Sequence, residues 1–353
     1  MGADETMLND MFVAKGVSCR LNGEVIVNDE LGERYRLAKC IGPLITSLLG
    51  SKHDLFSVSL TSNGVCVISS DRLGRRFVLQ LELCHSSLRH EYCHYRWNPY
   101  LELFYSLVKK YHIPNIRVLV RQVRGDLASD LVDYLNNIVR EIREGGSSAS
   151  FKAALKSYLR PVRENYKELT SYVQSLFDAK ARMLVVRVDL SYLERYRKSG
   201  SEISATQAGA HRRKLLDVLQ KGGYGPLEGY AWKFEKGVRK GLHFHMLLFF
   251  DGSKVRQDVV LGRMIGELWS SVITEGAGSY YNCNAFKEKY ECRGIGMVRY
   301  DDSKAMEGLD RIVTYMTKLD EYFKLSVQGV RSFGKGIMPV KPGITRGRPR
   351  VGR

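Results

Sequence analysis

Apolar positions recur along this chain with two different periods. Over residues 24–83 short β-rich runs (EVIV, LFSVSLT, VCVISS and RFVLQLEL) stand between Gly, Asn and Ser turns, which predicts a region built mainly of strands. Helical spacing follows over Tyr100–Tyr111, an extended run over Ile116–Val123, and helical spacing again over Ala128–Arg143. The segment Gly145-Gly146-Ser147-Ser148-Ala149-Ser150 reads as a linker, and a domain boundary is expected there. Residues 151–179 return to helical periodicity. After them the pattern gives a strand (Met183–Leu190), a helix (Ser204–Lys221), two strands (Leu227–Glu235 and Leu242–Phe250), a helix (Val255–Ile273), a strand (Ile295–Tyr300) and a helix (Ala305–Leu325).

This order predicts an α+β chain. A strand-rich α+β domain of open role is expected over residues 1–145. A second domain over 151–340 should carry an antiparallel sheet of ferredoxin-like βαββαβ order with helices packed on one face. No internal repeat is visible. Residues 341–353 are basic, free of acids and proline-containing, and are expected to form a disordered tail.

Charge narrows the partner. The formal net charge is +17 over 353 residues, which favours a polyanion, nucleic acid before a membrane surface. No run of eighteen apolar residues and no basic-then-apolar leader is present, so a soluble, cytoplasmic protein is expected. The seven cysteines are odd in number and scattered, which suits free thiols in a reducing compartment.

The candidate chemistry lies in the second domain. His243 and His245 flank Phe244 in a strand, so both imidazoles point to one face and Phe244 to the other. Glu235 ends the preceding strand, and a tight hairpin over Lys236–Gly241 would bring its carboxylate beside them. Two imidazoles and one carboxylate make a ligand set with open positions, suited to Mn²⁺ or Mg²⁺ holding a phosphate oxygen. Without that carboxylate, the His-x-His pair would read as an ordinary half-buried strand face. His211, among Arg212, Arg213 and Lys214, reads as a surface residue.

A Tyr-x-x-Lys follows in the last helix. Met306, Leu309, Ile312, Val313, Met316 and Leu319 form one apolar arc, with Tyr315 at its edge and Lys318 just beyond. An edge position lets the phenol face the sheet while staying reachable by substrate. Lys318 would favour phenolate or neutralise a phosphate. Tyr322 is the rival nucleophile, and among twenty tyrosines most pack or hydrogen-bond without reacting. Asp301-Asp302-Ser303 reads as a helix N-cap. One metal held by these side chains beside a tyrosine points to transesterification of a phosphodiester.

The blocks GYAWKFE, KGLHFHMLLFFDGSKV, GELWSSVIT, YYNCNAFKEKY, GIGMVRYDD and VTYMTKLDEYF resemble the replication initiators of filamentous bacteriophages (the inovirus gene-II type). They also resemble the prophage proteins grouped as YagK/YfjJ C-terminal, and both are similar to the wider HUH endonuclease superfamily. The resemblance covers roughly residues 160–340. It implies an HUH-type sheet and a rolling-circle initiator that nicks one DNA strand, stays linked to the 5′ phosphate through tyrosine, and later rejoins it. Carried over by position, His243 and His245 match the metal histidines, Glu235 the third ligand, Tyr315 the nucleophile and Lys318 its partner. Single-stranded and origin DNA would be the partners, with a host helicase or polymerase as a further one. Residues 1–145 match nothing in that family.

Weaker signals remain. Arg346, Arg348 and Arg350 in the sequence RGRPR look like an AT-hook core, with plain phosphate attraction as the alternative. Tyr281, Asn282 and Asn284 suit stacking and hydrogen bonding to single-stranded bases, or else form a polar loop. Cys84, His85, His90, Cys93 and His94 crowd together without the spacing of a zinc finger. Three competing functions stay open beside the nickase: a relaxase or transposase with the same chemistry, a non-catalytic DNA-binding regulator on the same fold, and a zinc-organised structural protein.

Overall fold

The computed structural model describes residues 19–21, 24–26, 29–84, 95–111, 116, 120, 123–197, 202–237, 240–290, 293–318, 320, 323–325 and 330–339. Packing divides them into two compact units. One is built from the described residues of 16–162 and 319–326, the other from those of 163–318 and 327–353. The first is an α+β region and the second an antiparallel sheet flanked by helices.

The first unit contains β1 (Cys19–Leu21), β2 (Glu24–Ile26), α1 (Asp29–Gly50), β3 (Phe56–Leu60), β4 (Cys66–Ser70), α2 (Arg72–Cys84), β5 (Tyr95–Trp97), α3 (Pro99–Tyr111) and α4 (Asp126–Ser147). It is less strand-rich than its apolar runs suggest. Residues 29–50 are helical, and RFVLQLEL lies within α2. Phe77 and Leu81 are spaced i, i+4 and buried with Val78 in a core that includes Ile41, Leu44, Ile45 and Leu48. Asp71 starts this helix, accepting a 2.6 Å hydrogen bond from the Gly74 amide. Buried Asn136 of α4 fixes the head of β3, bonding the Leu55 and Phe56 amides and the Phe56 carbonyl. The run expected to be extended over 116–123 is described only at 116, 120 and 123, and the first two are helical; of the Cys/His group of 84–94, residues 85–94 lie outside the described residues.

The glycine–serine segment is a junction between helices. Gly145, Gly146 and Ser147 complete α4, and Ser148 alone precedes α5 (Ala149–Ala179), capping it through the Phe151 amide. Gly146 is glycine because its backbone lies against Leu49, where a Cβ would sit 2.8 Å from a side-chain carbon. The break in packing falls inside α5, between residues 162 and 163.

The second unit adds β6 (Arg182–Tyr192), α6 (Ala205–Gln220), β7 (Leu227–Gly237), β8 (Gly241–Asp251), α7 (Asp258–Glu267), β9 (Gly278–Asn282), β10 (Gly296–Arg299), α8 (Ser303–Lys318) and β12 (Phe333–Lys335); β11 (Phe323–Leu325) belongs to the first unit. The sheet order is β10-β6-β8-β7-β12, antiparallel throughout, with β9 sharing the outer edge of β6 beside β10. The last helix was expected to reach Leu325; it stops at Lys318, and Phe323–Leu325 pairs instead with Tyr95–Trp97.

Helices lie on both faces of the sheet rather than one. Tyr172 and Leu176 of α5 close on Gly229, and Tyr166 bonds Asp310 of α8. Both helices cover the side bearing His243 and His245. On the Phe244 side Phe234 stacks on Phe244 at 4.5 Å; Arg212 of α6 lies over Phe244, and Trp269, in the π-helical segment Leu268–Ile273 that continues α7, packs edge-on against it and donates to the Ser191 carbonyl. His211 belongs to this packing, 3.0 Å from the Tyr192 hydroxyl, and is partly buried rather than a free surface residue. Two-sided burial explains the run HFHMLLFF, which keeps apolar residues on both faces of a central strand.

Candidate metal and tyrosine centre

The β7–β8 hairpin sets the register. Gly237 pairs with Gly241, which places Glu235 directly opposite His243 and Lys233 opposite His245. Paired residues share a face. On the other side of β8, Asp189 of β6 is opposite His245. Glu235, His243, His245, Lys233 and Asp189 therefore project from one side of three adjacent strands, and all but Asp189 are at most 9% exposed.

One ligand atom from each of Glu235, His243 and His245 comes within 4.8 Å of the others. Glu235 Oε2 is 3.4 Å from the Nε2 of each histidine. Each ring is oriented through its other nitrogen: His243 Nδ1 donates to the Gly241 carbonyl at 3.0 Å, and His245 Nδ1 to Asp189 Oδ1 at 2.6 Å. Both Nε2 lone pairs are thereby aimed at the carboxylate. Burial holds the His243 imidazole below its usual pKa, aided by the neighbouring His245 and opposed by Glu235. A neutral ring is the form that binds a cation. The donor set, its spacing and its ring orientations fit a divalent metal.

Tyr315 descends from α8 onto this cluster. Its hydroxyl is 3.4 Å from His245 Nε2, and its ring meets the imidazole edge-on with centroids 5.5 Å apart. Asp302 accepts the Ala305 amide at 3.0 Å and so fixes where α8 begins. The apolar arc read from the sequence places the phenol facing the sheet. It does not leave it at an exposed edge, for Tyr315 is 2% exposed.

Asp189 and Arg187 complete the arrangement, and the sequence reading passed over both. Arg187 is buried, its guanidinium carbon 5.2 Å from the Tyr315 ring centroid and its Nε 3.6 Å from Asp189 Oδ1. Burial works against its charge, yet Asp189 raises its pKa above the ordinary guanidinium value. The available signal was the alternation Val186-Arg187-Val188-Asp189, two opposite charges on one side of an apolar strand.

The remaining candidates separate. Tyr281 sits on β9, a strand where a polar loop was the alternative, and is partly buried. Asn282 and Asn284 are buried and spend their amides internally. Asn282 donates to the Val259 carbonyl; Asn284 accepts the Arg187 amide and donates to the Val185 carbonyl and Asp258. The side chain of Lys318, together with Tyr322, Arg346, Arg348 and Arg350, lies outside the described residues. Among the described residues no helix is long and apolar enough to cross a membrane.

A family model described as the YagK/YfjJ C-terminal domain matches residues 150–336, more than half of the chain. No curated protein matches. No solved structure matches either.

Proposed function

The chain belongs to the YagK/YfjJ C-terminal domain family, and on that footing we propose that it is a rolling-circle replication initiator of the HUH type, cutting and rejoining single-stranded DNA at an origin. One observation carries the reading: a tyrosine hydroxyl 3.4 Å from a histidine that shares a metal-fit cluster with a second histidine and a glutamate. The strand order β10-β6-β8-β7 supports the ferredoxin-like arrangement behind it.

Glu235, His243 and His245 would hold Mn²⁺ or Mg²⁺, which supplies charge neutralisation at the scissile phosphate. Tyr315 is the nucleophile. Its oxygen bonds phosphorus, the bond to the 3′ oxygen breaks, and the proton lost by the phenol is balanced by the one gained on the 3′ hydroxyl. One phosphodiester replaces another, so the reverse step reseals the strand. Arg187, stacked on the ring, favours negative charge on the phenol oxygen. Lys318 assists the same charge, and Tyr322 is the alternative nucleophile. Tyr281 contacts the strand, with Asn282 and Asn284 fixing its surroundings. We take residues 151–340 as the catalytic domain and 1–145 as a separate one; the family match spans 150–336, while packing divides the chain between residues 162 and 163. The tail 341–353, with Arg346, Arg348 and Arg350, adds duplex contacts, and the cytoplasm is the site of action.

The burial of Tyr315 favours a second reading, a DNA-binding regulator that kept the fold, since a phenol 2% exposed meets no phosphate in this conformation. A covalent-adduct assay separates the two. Wild type and Tyr315→Phe are incubated with labelled origin-like oligonucleotides and Mn²⁺, then resolved on a denaturing gel. The nickase gives an adduct in wild type alone, abolished by chelation. An adduct that persists in Tyr315→Phe and disappears in Tyr322→Phe moves the nucleophile. Binding without any adduct favours the regulator.

A further inference from the structure

An aromatic pair stands beside the cluster. Tyr281 and Phe286 stack with ring centroids 5.3 Å apart and planes 7° from parallel. Phe286 is 41% exposed, leaving part of a large apolar ring open to solvent. It sits at a kink in the 3-10 segment Cys283–Lys289 that follows β9. The Lys289 ammonium lies 4.8 Å from the Phe286 centroid and is itself exposed.

Register connects this pair to the cluster. Tyr281 is opposite Asp189 on β6, and Asp189 is opposite His245 on β8. Tyr281 therefore shares the face of the ligands, about 10 Å away across two strand spacings. Its neighbour Tyr280 points to the other face and lies on α7, where a Cβ on Gly266 would meet its ring at 2.1 Å. Of the two tyrosines, only Tyr281 faces the chemistry. The loop beneath it is held firmly: Asn284 ties it to the Val185 carbonyl and to Asp258, and Lys287 bonds both Asp258 oxygens.

We propose that Tyr281, Phe286 and Lys289 form a stacking platform for an unpaired base of single-stranded DNA, on a nucleotide neighbouring the phosphate held at the cluster. Tyr281 backs the Phe286 ring and the exposed Lys289 ammonium lies over it; once that flexible side chain swings to the backbone of a strand drawn by a chain of net charge +17, the exposed ring offers a π-face to any base. The purpose of the platform rests on the nicking reading, whereas its existence is a question of binding alone.

The test therefore uses full-length protein in chelator, where no cleavage occurs. Anisotropy of a fluorescein-labelled single-stranded 20-mer and of its duplex is measured for wild type, Phe286→Ala and Phe286→Trp. Removing the ring should weaken single-strand binding about tenfold, tryptophan should retain it, and duplex binding should not change. Quenching of 2-aminopurine in the single strand should be lost in Phe286→Ala. Unchanged single-strand affinity in Phe286→Ala, or an equal loss on both DNA forms, overturns the platform. A ring-dependent single-strand affinity together with a negative adduct assay leaves the platform standing and removes the nickase.

Discussion

Asp189 Oδ1 accepts a 2.6 Å hydrogen bond from His245 Nδ1 across the β6–β8 pair. That bond fixes the imidazole tautomer and turns Nε2 toward both Glu235 and the Tyr315 hydroxyl. A carboxylate behind a ligating histidine sharpens orientation and raises basicity, and its loss lowers metal affinity about 10–100-fold. Asp189→Asn keeps the volume and removes the charge. It should bind Mn²⁺ with affinity reduced by about that factor in titration calorimetry, while far-ultraviolet circular dichroism stays as in wild type. Wild-type affinity would show that Asp189 only packs.

Arg187 is the charge that keeps Asp189 comfortable, 3.6 Å from its carboxylate and stacked on Tyr315. Removing the cation of a largely shielded pair leaves the carboxylate with less compensation, at a cost of up to about 3 kcal/mol. Arg187→Met should lower the urea midpoint accordingly. The double variant Arg187→Met with Asp189→Leu should recover most of that loss, because neither charge then remains buried alone. A double variant as unstable as the single one would assign the loss to packing around the arginine stem.

The Glu235–His243–His245 cluster was legible in the sequence because alternation in strands and a short hairpin together dictate register. Once Gly237 meets Gly241, Glu235 must face His243. The hydrophobic arc of the last helix likewise turned Tyr315 to the sheet, but not how deep it would lie. Burial of a face depends on what covers it, and residues of α5 and α8 do that here from outside the strand's own pattern. The same reason hid Arg187 and Asp189, whose alternation resembles any solvated strand edge. RFVLQLEL went astray because its apolar residues satisfy both periods, and only the core beneath α2 selects Phe77 and Leu81. The segment 278–282 forms a strand because the outer edge of β6 beyond Val188 offers it backbone partners, which is tertiary information.

Metal should stabilise the fold, because the donors are assembled in the native state alone. With free Mn²⁺ at a hundredfold excess over its Kd, the gain is about 2.7 kcal/mol, read as an upward shift of Tm by several degrees. His243→Ala and Glu235→Gln should each abolish the shift, and EDTA should reverse it in wild type. A shift of equal size in His243→Ala would place the ion elsewhere.

Acid should act on the sheet through Asp251. This residue ends β8, 5% exposed, with Lys180 Nζ 2.7 Å from Oδ2 and the Ser253 amide 2.9 Å from Oδ1. Burial pushes its carboxyl upward, but the bonds from Lys180 and Ser253 outweigh it and bring the pKa down to about 2 from an ordinary 3.8. A carboxyl depressed by folding stabilises the native state above its unfolded pKa, and the contribution drains away as pH falls through the folded one. The window is thus pH 4 down to 2, and the contribution is about 2 kcal/mol by linkage. Asp251→Asn should melt lower than wild type at pH 6, and the gap should narrow steadily as the buffer is taken from pH 4 to pH 2. A gap that stayed constant across that range would mean that the carboxylate's charge contributes nothing and only its hydrogen-bonding shape matters.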